Sequence, residues 1–365
     1  MSIQSTHRPG RPHPALSRRA LLAGTAAGAV GLSLAACGKG KKAGSQADSK
    51  TVTVVTHDSF HVSENLQKAF TSETGYTLKI ATSGDAGALV NKLVLTKDAP
   101  LGDAVFGIDN TYATRALDQG VIDTSATVTL PKGAESYVVA DTPALAPIDV
   151  GDVCLNIDTG YFTGKGLTPP ATFEDLTKPE YKGLLVAINP TNSSPGMAWL
   201  LATIGHFGAG SFAGYWKQLM ANGARIAEDW SAAYETDFSG SGKGTYPIVV
   251  SYASSPSFTV SKDKSSSSTS ALLDTAFRQV EYAGVLKGAA NPEGGKAFVE
   301  WMLSKAVQED IPGQMYMYPV LPDAALPEAL TKFGPLSKSP VKVEPKEITT
   351  HREEWLNTWT EAVGK

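Results

Sequence analysis

Thr51-Val52-Thr53-Val54-Val55-Thr56 is a β-branched run that reads as a buried strand. A helical pattern follows from Val62 to Glu73, with Leu66, Ala69 and Phe70 on one face and Gly75 at its end. Leu78 to Ala81 is strand-like again. Ala88 to Thr96 places Leu89, Val90, Leu93 and Val94 at helical spacing. Ala104 to Gly107 and then Thr111 to Gln119 repeat the alternation. Strand and helix alternating at this pitch predict βαβ units on a parallel sheet, with ligands outside the carboxyl ends of the strands. Further on, Asp152 to Ile157, Leu184 to Ile188 and Tyr246 to Tyr252 read as strands. Pro195 to His206 and Pro292 to Ala306 read as helices. Two α/β units on one chain predict two lobes with a cleft between them.

Upstream of the first strand the chain has a different character. Arg8, Arg11, Arg18 and Arg19 precede a small, apolar stretch from Ala20 to Ala36, with no acidic residue before Cys37. That layout predicts a signal peptide over residues 1–36, too rich in Gly and Ala to be a membrane span. Leu34-Ala35-Ala36-Cys37 resembles a bacterial lipobox, which implies lipid on Cys37 and anchorage to the cell membrane. Ser17-Arg18-Arg19 with Leu21-Leu22 resembles a twin-arginine export signal; an ordinary export signal with a coincidental arginine pair fits as well. Residues 37–50 are a Gly, Lys, Ser and Ala tether too polar to pack.

About 315 residues remain, enough for two lobes with cores of their own. The whole chain carries a net charge of −4, and its first 36 residues hold four arginines and no Asp or Glu, so the remainder stands at −8. Such a surface argues against nucleic acid and favours a cationic or neutral ligand. Besides Cys37 there is only Cys154, so no disulfide framework is possible. Lys262 to Ser270 is a serine-rich stretch that reads as a solvated loop.

Six segments carry a resemblance. They are Thr56-His57-Asp58-Ser59-Phe60, Gly107-Ile108-Asp109-Asn110, Pro190-Thr191-Asn192-Ser193-Ser194-Pro195-Gly196, Asp229-Trp230-Ser231-Ala232-Ala233-Tyr234, Ser251-Tyr252-Ala253-Ser254-Ser255-Pro256, and Ile311-Pro312-Gly313 with Tyr316-Met317-Tyr318-Pro319-Val320. In that order and spacing the chain resembles the thiamine-binding proteins of bacterial ABC transporters. The resemblance implies a type II periplasmic-binding-protein fold, α/β in class, whose two lobes close on thiamine or a thiamine phosphate and deliver it to a permease. Lobe 1 is expected over 51–147 plus about 275–365 and lobe 2 over 148–274, with hinge crossings near Ile148 to Leu155 and Tyr252 to Val260. Carried over residue by residue, the aromatic positions fall on His57, Trp230, Tyr252, Phe258 and Tyr316, the carboxylate on Asp85 and the hydroxyl on Ser193. No cofactor is implied.

The chemistry of those residue types suits such a ligand. Thiamine has a fixed positive charge on its thiazolium beside an aminopyrimidine, and aromatic faces attract a cation by ~0.5–2 kcal/mol each. A carboxylate adds opposite charge and accepts hydrogen bonds from the amine. Trp230 and Tyr234 lie four apart and share a face of any helix; Tyr234 reads equally as core or pocket. Asp85 reads both as a ligand contact and as the N-cap of the following helix. Ser194-Pro195 reads as a cap with proline at the first helical position, and Ser193, Ser194 and their amides equally as a phosphate cradle. Asp109-Asn110 ends a strand before a helix, where it reads as a cap, as a lining of the cleft, or as both. Where relatives carry Tyr, this chain has His57 and Phe258, and where they carry Trp it has Tyr316. Stacking survives those changes, and a protonated His57 opposes a cation.

Two other classes fit the fold. Ferric-ion-binding proteins clamp iron with adjacent tyrosines, and no Tyr-Tyr dipeptide occurs here. A thiaminase-like enzyme needs a nucleophilic cysteine with a base beside it. Cys154 is the sole candidate, and it sits in a strand-like segment where a buried, inert thiol is expected. The sequence therefore predicts capture without catalysis, with no metal-ligand spacing.

Overall fold

In the computed structural model, the described residues are 50–241 and 243–364. The expected signal peptide, the expected lipidation site Cys37 and the expected tether up to Ser49 lie outside them.

The first half alternates as its periodicity predicts: β1 (Thr51–Thr56), α1 (Glu64–Thr74), β2 (Thr77–Thr82), α2 (Ala86–Leu95), β3 (Ala104–Asp109) and α3 (Ala113–Asp118). Helix α1 stops where Gly75 takes φ +74° and donates its N–H to Thr71 O, a conformation that costs glycine nothing. β4 (Ala146–Asp158) follows, buried for all but its last residue, then α4 (Thr159–Lys165), β5 (Leu185–Ile188), α5 (Ser194–Phe207), α6 (Phe212–Ala221), β6 (Arg225–Ala227) and β7 (Ile248–Tyr252). The chain ends with β8 (Thr269–Val285), α7 (Pro292–Met302), α8 (Lys305–Met315), β9 (Tyr318–Pro319), α9 (Glu328–Phe333) and α10 (Pro345–Val363). The expected helix from Pro292 to Ala306 is broken in two. Ser304 leaves the helical conformation and caps α8 by accepting from Val307 N.

Among the described residues these strands make one sheet in the order β2-β1-β3-β8-β4-β7-β5-β6, with β9 on β4. β1 pairs in parallel with β2 and β3, and β5 in parallel with β6 and β7. Between these two blocks run β8 and β4, antiparallel to each other and to their neighbours. The β4–β8 ladder breaks register between Val153 and Leu155, around the buried Cys154. The crossing expected at Ile148 to Leu155 falls inside β4. At Tyr252 to Val260, where the other was expected, the chain ends β7 and turns through Ser255–Phe258. The second long strand is β8, whose polar Arg278, Gln279 and Glu281 interrupt the apolar run that marks a buried strand.

Helix α10, which the sequence places with lobe 1, packs chiefly on α6, where Trp359 meets Trp216 edge-on at 5.6 Å. It also touches α3, where the Arg352 guanidinium sits 4.1 Å over the Tyr112 ring. Such aromatic and cation pairs add about 0.5–2 kcal/mol beyond the area they bury.

Candidate functional site

His57 follows β1 directly and lies against Phe106 of β3, ring centroids 5.4 Å apart. The neighbouring Gly107 makes room for it. That residue is a bulge in the β3–β8 ladder at φ +96°, and a Cβ there would overlap the His57 ring. Gly107→Ala therefore combines an unfavourable backbone region with a steric conflict, and is expected to destabilise the fold by at least ~1–3 kcal/mol. Urea denaturation checks this; an unchanged midpoint would mean that His57 moves aside freely.

Three adjacent strands carry acids in register beside that histidine. Glu281 of β8 pairs with Asp109 of β3 on one side and with Asp149 of β4 on the other. Residues directly opposite across a ladder point to the same face, so the three carboxyls form a row. Asp149 has no exposure and neither of its carboxyl oxygens has a hydrogen-bond partner of normal geometry. Burial first, then the charge and proximity of Glu281, push its pKa well above the carboxylate range. Burial also lifts Asp109 to about 7, against hydrogen bonds from Thr111. His57 Nε2 sits 3.4 Å from Glu281 Oε1. Burial alone would lower the histidine, but Glu281, helped by Asp85 and Asp109, raises its pKa above 6.5.

Asp85 stands at the start of α2, where Oδ1 accepts from Ala86 N at 2.7 Å. Desolvation raises its pKa, against Ser193, the Ala86 and Ser194 amides and His57, all of which favour the charged form. Cap and wall of the site coincide in this one residue. Ser193 is the N-cap position of α5, one residue earlier than the expected cap, and Ser194 and Pro195 are its first two helical residues. Neither serine hydroxyl has a hydrogen-bond partner of normal geometry, although both are buried.

Aromatic rings line the same site. The segment after β6 forms a π-helical turn over Ala232–Asp237, a form common at binding sites. It stacks Trp230 on Tyr234 at 5.1 Å with planes 10° apart. Trp230 Nε1 donates to Ser251 Oγ at 2.9 Å, which fixes the ring. Tyr316, held at φ +62° after α8, stands 6.3 Å from Trp230 and meets Phe258 edge-on at 3.9 Å.

These groups enclose an open cavity of about 260 Å³, lined by His57, Asp85, Ser194, Trp230, Tyr252 and Tyr316 among the expected residues. Tyr234 and Phe258 line an adjoining cavity of about 180 Å³, which shares Trp230 and Tyr316 with the first. Two expected residues lie behind the wall. Ser193 is fully buried one residue short of the cavity, and Asp109 is fully buried with Oδ1 accepting from Thr111 N. The expectation that Asp109 lines the cleft is corrected: burial in β3 and its bond to Thr111 keep it out of the cavity. Sequence reasoning missed Glu281, Gln314, Met315 and Met317, which line the same cavity. The signal for Glu281 was a single acid in the otherwise uncharged stretch from Val280 to Val285.

Two parallel α/β blocks joined by two long antiparallel strands, with a cavity of rings and carboxylates, define a two-lobed binding protein. The chain belongs to the bacterial extracellular solute-binding proteins, whose family model matches residues 103–334. It is similar to the thiamine-binding periplasmic protein of Salmonella typhimurium, 27% identical across 86% of this chain and 94% of that one. The protein of the same description from Haemophilus influenzae is 21% identical across 87% of this chain and 93% of that one. Among solved structures, a periplasmic thiamin binding protein superposes with a TM-score of 0.74 at 25% identity, covering 86% of this chain and 96% of its own. Iron-bound HitA from Pseudomonas aeruginosa shares the fold, with a TM-score of 0.65 at 20% identity, covering 86% and 99%.

Proposed function

We propose that the protein captures thiamine or a thiamine phosphate outside the cytoplasm and hands it to the permease of an ABC importer. The observation that carries this reading is a cavity lined by Trp230, Tyr252 and Tyr316 together with Asp85 and Glu281. Planar π faces and anionic oxygens together suit a cationic aromatic heterocycle better than a sugar or an anion. The hydroxyl of Ser194, which lines the cavity at the start of α5 without a hydrogen-bond partner of normal geometry, supports a phosphate contact if the ligand has one. The named relatives support thiamine in particular. For iron, two tyrosines must turn their oxygens to one point. Tyr252 instead donates its hydroxyl to Gln279 Oε1 at 3.2 Å, and Tyr316 packs on Phe258.

Catalysis is not part of the proposal. Cys154 is fully buried with Ala253 and Ala276, and burial raises its thiol far above the range of a nucleophile. Thiamine incubated with the protein is expected to be recovered intact.

In this reading the lobes divide where β4 and β8 lose register, near Val153 to Leu155, and α10 moves with the lobe that contains α6. Closure about that hinge desolvates the rings and Asp85 together. Lipid on Cys37, supported by Leu34-Ala35-Ala36-Cys37, keeps the protein beside its permease.

A thermal-shift screen tests the ligand. At one hundred times its dissociation constant, a ligand stabilises by ~2.7 kcal/mol, which predicts a rise of about 3–6 °C for thiamine or one of its phosphates. No shift with any of them would sink the proposal. Asp85→Asn keeps a good helix cap and removes the charge. It is expected to weaken thiamine roughly tenfold, about one charge-assisted hydrogen bond, and to spare neutral analogues. Equal loss for both would leave Asp85 a cap alone.

A further inference from the structure

We propose that Glu281 is a ligand-facing anion whose resident counter-ion is the His57 imidazolium, and that a cationic ligand enters by displacing the proton of His57. This rests on reading the cavity as a site for a cationic heterocycle. Both side chains line the cavity, and both are more than nine-tenths buried. His57 Nε2 lies 3.4 Å from Glu281 Oε1 yet has no hydrogen bond of normal geometry, so the pair is held by charge. Glu281 is steadied from the side by Gln279 Nε2 at 3.2 Å.

The groups facing this pair are mostly acids. From α2 comes Asp85, from β3 Asp109, from β4 Asp149, with the Tyr252 phenol of β7 beside them. The Arg352 guanidinium acts on Asp109 from behind, and it alone among these neighbours adds positive charge. Without ligand, an imidazolium offsets the row of carboxylates. With a fixed cation in the cavity, two positive charges would crowd against Glu281, and the histidine can lose its charge while the ligand cannot. Recognition is thus an exchange: ligand cation in, one proton from His57 Nε2 out to solvent.

The sign of the pH dependence follows. The folded-state pKa of His57 is raised above 6.5, so below it the imidazolium competes with the ligand. Affinity for thiamine is expected to rise by about tenfold per pH unit up to that pKa and then level off, as one displaced proton requires. A neutral ligand of similar shape should show no such slope from His57.

Calorimetry of thiamine binding between pH 6 and 8, in buffers of different ionisation enthalpy, counts the protons released. Near pH 6 the protein should release about one proton more than His57→Phe, which keeps a planar face and cannot titrate. Asp109 titrates in the same range, and the difference between the two proteins removes its share. Without ligand, Glu281→Gln should lower the His57 titration midpoint seen by NMR. Equal proton release by the protein and His57→Phe would overturn the exchange while leaving thiamine as ligand. A His57 midpoint unmoved by Glu281→Gln would overturn the ion pair. Failure of thiamine to bind at every pH would overturn the ligand reading and the exchange with it.

Discussion

Trp230→Ala is expected to weaken thiamine binding by roughly 1–3 kcal/mol, about 5- to 150-fold, the scale of losing one stacked ring. The ring belongs to both cavities, so no other side chain can take its place without moving. It is preorganised by the Tyr234 stack and by the Ser251 Oγ bond, so little entropy is lost when a ligand settles on it. The fold should tolerate the change, because Ser251 keeps a hydroxyl partner in Ser255 at 2.9 Å and Trp230 is only half-buried. Trp230→Phe separates the two contributions: it keeps a stacking face and loses the anchoring N–H, so it should fall between the two proteins. Calorimetry that finds Trp230→Ala binding thiamine as tightly as the parent would remove this residue from the site.

How much of this was legible in the sequence varies with the kind of signal. β1, α1, α2 and α5 announce themselves because apolar residues at one fixed period leave a single reading. β8 does not, because its central residues face a polar cavity and its neighbours, and a strand that carries Arg278, Gln279 and Glu281 no longer looks buried. The same cause hid Glu281: an acid's role is visible only once Asp109 and Asp149 are known to stand beside it. Most of the cavity residues were reached through resemblance, since no local pattern connects His57 with Trp230 across 173 positions of chain. Asp85 shows a limit of a different sort. Its capping bond and its place in the cavity wall are compatible, so choosing between them from sequence was the wrong question.

The largest loss of stability is expected at the junction of the two sheet halves, from Arg278→Met. Asp152 of β4 has no exposure and accepts from Arg278 Nε at 2.8 Å, Arg278 Nη2 at 2.9 Å and Ser337 N at 2.6 Å. One carboxylate thereby ties β4, β8 and the strap that leads to α10. Removing the arginine strands a charge that cannot reach water, which costs about 3–5 kcal/mol. Asp152→Ala should cost less, because the Arg278 side chain is 28% exposed and can turn its charge toward solvent. The double replacement Asp152→Leu with Arg278→Met leaves no uncompensated charge, and is expected to recover much of the loss that Arg278→Met causes alone. Urea unfolding of the variants decides the point. If Arg278→Met and Asp152→Ala each cost under ~1 kcal/mol, the pair contributes no more than a surface salt bridge and the junction is held by its ladder hydrogen bonds instead.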